Sequence, residues 1–220
     1  MVLVSFPLLK VCGLREPAQA TAIAALGVDA IGVIAVPSSP RFLPAAQRPD
    51  LFAAMAAGGR DCFGVLVVAD PCDDQLEELG AGRGHAVVQL HGSESVERCR
   101  ELAQRLDVRL WKALRVRSPE DLEAAAAYAG VVEALLLDAW QPGQLGGTGQ
   151  RIPTAWLEGF RPASPWWLAG GVGPETVAEL LERLHPDGLD ASSALEDRPG
   201  VKNLGRVAAL LAAMRGSPTG

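Results

Sequence analysis

Eight short apolar runs punctuate the chain, each five to seven residues long: LLKVC (8–12), AIGVIAV (30–36), CFGVLVV (62–68), AVVQL (86–90), RLWKAL (109–114), EALLLD (133–138), PWWLAG (165–170) and GLDAS (188–192). Longer stretches of helical character follow them. EPAQATAIAAL (16–26) has an early proline and apolar residues three and four apart. SESVERCRELAQRL (93–106) opens on Ser93 and sets Val96, Cys99, Leu102, Ala103 and Leu106 on one face. SPEDLEAAAAYA (118–129) offers a serine cap, a proline at the first helical position and acids in the first turn, and GPETVAELLERL (173–184) repeats the pattern.

Strands alternating with helices predict parallel pairing through right-handed crossovers. Eight such units in 220 residues predict an α/β fold, a compact closed (β/α)8 or TIM barrel, as one domain over 1–220 with a frayed tail at 216–220. An open doubly wound sheet is the alternative. It would favour a G-x-G-x-x-G turn after the first strand, where this chain has CGLREP with a single glycine.

Composition adds exclusions. The chain is 49% apolar and 21% charged with a formal charge of −6, ordinary for a globular protein. No basic block suggests nucleic acid as a partner, since the arginines of 98–117 alternate with acids and apolar residues. No apolar run approaches the roughly 18 residues of a membrane span, so no membrane partner is expected. The start, MVLVSFPLLK, lacks a basic n-region and a small-residue cleavage site. Cys12, Cys62, Cys72 and Cys99 form no C-x-x-C pair and no metal-ligand spacing with the histidines, so a reducing cytoplasm and no bound metal are expected.

In a barrel of this type the active site lies at the C-terminal ends of the strands. Those ends are polar here: Cys12 on the first, Arg41 in the loop after the second, Gln89 and His91 on the fourth, Lys112 and Arg115 on the fifth, Asp138 on the sixth, Gly170 and Gly171 on the seventh, and Asp190, Ser192 and Ser193 on the eighth. The small-residue turns GGTG (146–149), AGGVGPET (169–176) and SSALE (192–196) follow strands six, seven and eight, where backbone N–H groups approach an anion closely. They suggest a phosphate site. Lys10 and Cys12 are two apart on one strand and share a face, so the ammonium favours a thiolate that can act as base or nucleophile. The bland reading makes Cys12 a small buried hydrophobe. Asp138 closes a wholly apolar strand, where partial desolvation suits a carboxyl to hold and deliver a proton, although it could equally cap a loop. His91 reads as ligand, base or pocket residue. Arg41, between Pro40 and Phe42, suits a carboxylate or phosphate, or is a surface arginine.

The ordered motifs KVCGL, LGVDAIGVI, SPRFL, VVQLHGSE, LWKALRV, LLLDA, GGTGQ, WLAGGVGPETV, LDASSALE and PGVKN cover roughly residues 8–207, and the chain closely resembles the phosphoribosylanthranilate isomerases. The resemblance implies a cofactor-free Amadori rearrangement of N-(5′-phosphoribosyl)anthranilate to 1-(o-carboxyphenylamino)-1-deoxyribulose 5-phosphate, a step of tryptophan biosynthesis. It implies Cys12 as general base, Asp138 as general acid and Arg41 as the holder of the anthranilate carboxylate. It places the phosphate on backbone around Gly147, Gly170, Gly171, Ser192 and Ser193 and the ribose pocket at Asp190 and Gln89, with Lys10 and His91 as further candidates for substrate binding. A small-molecule phosphosugar-anthranilate is the expected partner, and the protein is expected as a monomer or homodimer.

The chain departs from the family pattern where GVIAVPSSPR replaces a phenylalanine-bearing second strand, where Ala194 replaces a glycine, and where Lys202–Asn203 replaces Lys-Asp. If position 194 needs positive φ, alanine there is strained and phosphate affinity falls. Two other readings remain open from the residues: a Cys12–His91 hydrolase, and a non-catalytic barrel that binds a phosphosugar.

Overall fold

The computed structural model describes residues 6–59, 61–141 and 149–216. Eight parallel strands close a barrel in sequence order: β1 Leu8–Cys12, β2 Ala30–Ile34, β3 Phe63–Val68, β4 Val87–Leu90, β5 Arg109–Val116, β6 Ala134–Ala139, β7 Trp166–Ala169 and β8 Gly188–Ala191. Closure is the β1–β8 ladder, in which Lys10 lies opposite Asp190. The open sheet is thereby excluded. Helices α1 Pro17–Ala25, α2 Arg48–Gly58, α3 Leu76–Leu79, α4 Val96–Arg105, α5 Thr154–Leu157, α6 Val177–Arg183 and α7 Leu204–Gly216 occupy the connections and the C-terminus. A two-stranded antiparallel hairpin, β9 Glu196–Arg198 with β10 Val201–Lys202, follows β8. Among the described residues no helix is long and apolar enough to cross a membrane.

The strands read as nearly continuous apolar runs because both of their faces are covered. Outward residues such as Leu9, Val11, Ile31 and Leu135 pack under the helices. Inward residues such as Val65, Val87, Ala134 and Leu136 fill the bore, and Trp111 and Trp167 stack there with centroids 4.6 Å apart. Among the described residues four free cysteines are present, with Cys12 and Cys99 buried.

Two helices differ from expectation. Residues Pro119–Tyr128 form a 3-10 helix rather than an α-helix. Its buried side chains are Leu122, Ala125 and Tyr128, and that strict spacing of three matches three residues per turn. The stretch from Gly173 becomes α-helical only at Val177. Before it, the Thr176 hydroxyl accepts from the Gly173 N–H at 3.0 Å and reaches the Gly171 carbonyl at 2.8 Å, which holds the chain in a turn.

Candidate active site

The C-terminal mouth of the barrel holds a cavity whose polar lining includes Cys12, Arg41, His91, Asp138, Asp190 and Ser193. Cys12 on β1 and Asp138 on β6 are separated by two strands one way round the ring and four the other, so they face the cavity from different sides. Both are buried. Gly32 on β2 makes room for the thiol. A Cβ at that position would lie 2.6 Å from Cys12 Sγ and 2.9 Å from Lys10 Cε.

Lys10 lies one layer below Cys12 and is fully buried. Its ammonium donates to Gln89 Oε1 at 2.7 Å and sits 3.1 Å from Asp190 Oδ1, close enough for an ion pair though outside hydrogen-bond alignment. Burial works against the Lys10 charge, but Asp190 and Cys12 more than offset it and its pKa lies above the ordinary value. Burial dominates at Cys12 and pushes the thiol up. Lys10 and Lys202 pull the other way without reversing the direction. Lys10 alone therefore does not produce the resting thiolate that its spacing from Cys12 suggested.

Both ends of the Gln89 amide are occupied: Oε1 by Lys10, and Nε2 by His91 Nδ1 at 2.9 Å. His91 Nε2 lies 3.4 Å from Asp138 Oδ2, also outside hydrogen-bond alignment. The imidazole thus turns towards Gln89 and Asp138, and its two nitrogens are directed away from the Cys–His pairing that a thiol hydrolase would need. The backbone of His91 is fixed by a 2.8 Å bond to the Val68 carbonyl. Beyond it, buried Glu94 accepts from the Asp70 and Gly92 N–H groups and from Lys112 at 2.6 Å. Lys112 therefore braces the loop after β4 from outside the cavity, and Arg115 reaches Ser93 Oγ at 3.2 Å.

Arg41 is buried and enters the cavity wall, but two of its nitrogens are already engaged. Nε and Nη2 grip the Glu196 carboxylate at 2.9 and 2.7 Å. The same carboxylate accepts from Lys202 Nζ at 2.6 Å and from the Gly200 N–H at 3.0 Å. Burial resists the Glu196 charge, yet Arg41 and Lys202 hold its pKa below the ordinary carboxylate value. Two cations against one carboxylate leave this wall with an excess of one positive charge. The sequence pattern alone assigns Glu196 and Lys202 no part in the site. Their only signals were an acid closing SSALE and a lysine in PGVKN, six residues apart.

Gly170 and Gly171 line the cavity with φ of +87° and +66°. A Cβ at Gly170 would lie 2.4 Å from the Gln150 carbonyl, so the glycine is needed for both conformation and space. Ser193 and Ala194 begin a single 3-10 turn at the end of β8, where leading N–H groups lack partners within the turn. Among the described residues Asp70 is the only non-glycine with positive φ, so Ala194 is free of the strain considered above. The Ser192 hydroxyl is committed to the Cys12 carbonyl at 3.0 Å. Gly147 lies outside the described residues.

A family model described as N-(5′-phosphoribosyl)anthranilate (PRA) isomerase matches residues 9–213. The N-(5′-phosphoribosyl)anthranilate isomerase of Trichormus variabilis is 45% identical over 202 residues, covering 91% of this chain and 95% of the relative. The crystal structure of the Thermus thermophilus phosphoribosyl anthranilate isomerase superposes with a TM-score of 0.79 at 31% identity, covering 94% of this chain and 98% of that one. Another isomerase of this type, crystallised with reduced 1-(o-carboxyphenylamino)-1-deoxyribulose 5-phosphate, superposes with a TM-score of 0.78 at 25% identity, covering 96% and 99%.

Proposed function

The chain belongs to the N-(5′-phosphoribosyl)anthranilate isomerase family, and from that membership we propose that it converts N-(5′-phosphoribosyl)anthranilate to 1-(o-carboxyphenylamino)-1-deoxyribulose 5-phosphate in tryptophan biosynthesis, as a cytoplasmic enzyme. The observation that carries the reading is the pairing of Cys12 and Asp138 across one cavity that Arg41, braced by Glu196 and Lys202, also lines.

Asp138 is the general acid. It gives its proton to the ribose ring oxygen as the bond from that oxygen to C1′ breaks, and the nitrogen lone pair forms the C1′=N bond of a Schiff base. Cys12, as thiolate, takes the proton from C2′. The released electron pair forms the C1′=C2′ bond and neutralises the nitrogen, giving an enolamine. A proton then returns to C1′ while the C2′ hydroxyl loses its own, which yields the ketone and balances the isomerisation. Arg41, held by Glu196, meets the anthranilate carboxylate with its remaining N–H groups. Backbone N–H groups at Gly170, Gly171 and Ser193 take the phosphate, and Asp190 lies against the ribose.

The test is the decay of substrate fluorescence, with substrate generated in situ from anthranilate and activated ribose phosphate. Wild type is expected to consume it. Cys12→Ala and Asp138→Asn are each expected to lower kcat by about 10²–10⁴ with unchanged circular dichroism. Full activity in either variant removes the role assigned to that residue, and a folded but inactive wild type supports a binding-only barrel instead.

A further inference from the structure

We propose that Lys10 and Gln89 are positioning residues that lock His91 in its neutral Nε2–H form, which supplies an N–H donor to the carboxylate that Asp138 becomes. The inference rests on the role of Asp138 given above and deepens it.

The lock follows from which atoms are able to donate. An ammonium only donates, so Gln89 Oε1, 2.7 Å from Lys10 Nζ, is the acceptor. That fixes the amide orientation, because the flipped form would set N–H against N–H. Gln89 Nε2 therefore faces His91 Nδ1 at 2.9 Å, and an amide nitrogen only donates. Nδ1 must accept, so it carries no proton, and the proton of the neutral ring sits on Nε2. An imidazolium would place two donors face to face and is disfavoured. Asp190 supports the chain from its other end by holding Lys10 charged. Lys10 is fully buried and absent from the cavity wall, and Gln89, which does line the cavity, has both amide atoms engaged by Lys10 and His91, so the link from Lys10 to His91 runs through Gln89.

The consequence lies at Asp138. His91 Nε2 is buried, has no hydrogen-bond partner among the described residues, and stands 3.4 Å from Asp138 Oδ2 in the cavity wall. An unmet buried donor beside a proton donor is costly in the resting state. It becomes favourable when Asp138 gives its proton to the substrate and negative charge forms on the carboxylate, because hydrogen bonds to charged groups are the strong ones. No proton moves on His91 during the step: the proton leaves Asp138 for substrate, and the Nε2–H stays where it is.

The first measurement is the 15N–1H correlation of the imidazole rings in the full chain near pH 7 without substrate, with His91 assigned by the signals lost in His91→Asn. An unprotonated Nδ1 and a protonated Nε2 are expected. A ring protonated on Nδ1, an averaged mixture or an imidazolium overturns the proposal. The second is Gln89→Glu, whose carboxylate accepts from both Lys10 and Nδ1. The proton is expected to appear on Nδ1, and kcat to fall by about 10-fold or more with KM within about 3-fold. A folded Gln89→Glu with the wild-type ring pattern, or with wild-type kcat, overturns it as well. If that variant fails to fold, the wild-type ring pattern decides alone. Because the spectra need no substrate, an inactive wild type that shows the locked ring would remove the proposed function while leaving the tautomer standing.

Discussion

At the residue scale, small changes of space and charge decide what Cys12 can do. Gly32 is required for room, since its backbone φ is not in the left-handed region and a Cβ would press on both Cys12 Sγ and Lys10 Cε. Gly32→Ala is expected to cost about 1–3 kcal/mol of stability through overpacking and to lower kcat more than it raises KM. Urea denaturation beside steady-state kinetics checks it, and wild-type behaviour in both would show that the bore yields freely. The Cys12 pKa has its own signature. Burial raises it while Lys10 and Lys202 oppose, so the protonated thiol prevails until the pH climbs past an ordinary thiol pKa of about 8.5. In its proposed role as base Cys12 must be deprotonated, so kcat/KM is expected to rise with pH through that range. The limb should vanish in Cys12→Ala, and a profile flat from pH 7 to 10 would contradict the assigned direction.

At the scale of elements, the β9–β10 hairpin has a task its length conceals. It folds Glu196 and Lys202 back beside Arg41, which arrives from the loop after β2. That loop is itself tied down where the Leu43 N–H meets the Ile34 carbonyl at 2.9 Å. Removing the single carboxylate leaves two buried cations without their partner, so Glu196→Gln is expected to lose about 3–5 kcal/mol of stability. A denaturation midpoint equal to that of wild type would show that water already compensates the pair. The 3-10 helix teaches a related lesson. The cap and first-turn residues at 118–121 marked where a helix begins, and the buried triplet Leu122, Ala125 and Tyr128 decided which kind forms. A period of three and a period of 3.6 differ by only about 0.6 residue per turn, so patterning placed the element and packing chose its pitch.

For the whole molecule, closure depends on helices that cover the outer face of the strands. The last, α7, buries Val207, Leu210, Leu211 and Met214. At roughly 1.5–3 kcal/mol per buried side chain, its loss approaches the entire stability of an ordinary domain. A chain ending at residue 203 is expected to show no cooperative thermal transition by circular dichroism, and a sharp transition near the wild-type Tm would overturn that dependence.

The sequence by itself determined the order and number of the eight strands, because parallel strands covered on both faces must be written as apolar runs. It also placed Cys12, Asp138, Arg41 and the late glycine turns at strand ends, because in a barrel one end of every strand opens on the same mouth. Tertiary structure alone decided which polar groups meet. Lys10 serves Gln89 and Asp190 as well as Cys12, His91 turns towards Asp138, and Arg41 shares Glu196 with Lys202. Those pairings reach as far as Lys10 to Asp190, 180 positions apart in the chain. The periodicity of a single strand records which face a residue occupies, and it holds no record of what the neighbouring strands bring to that face.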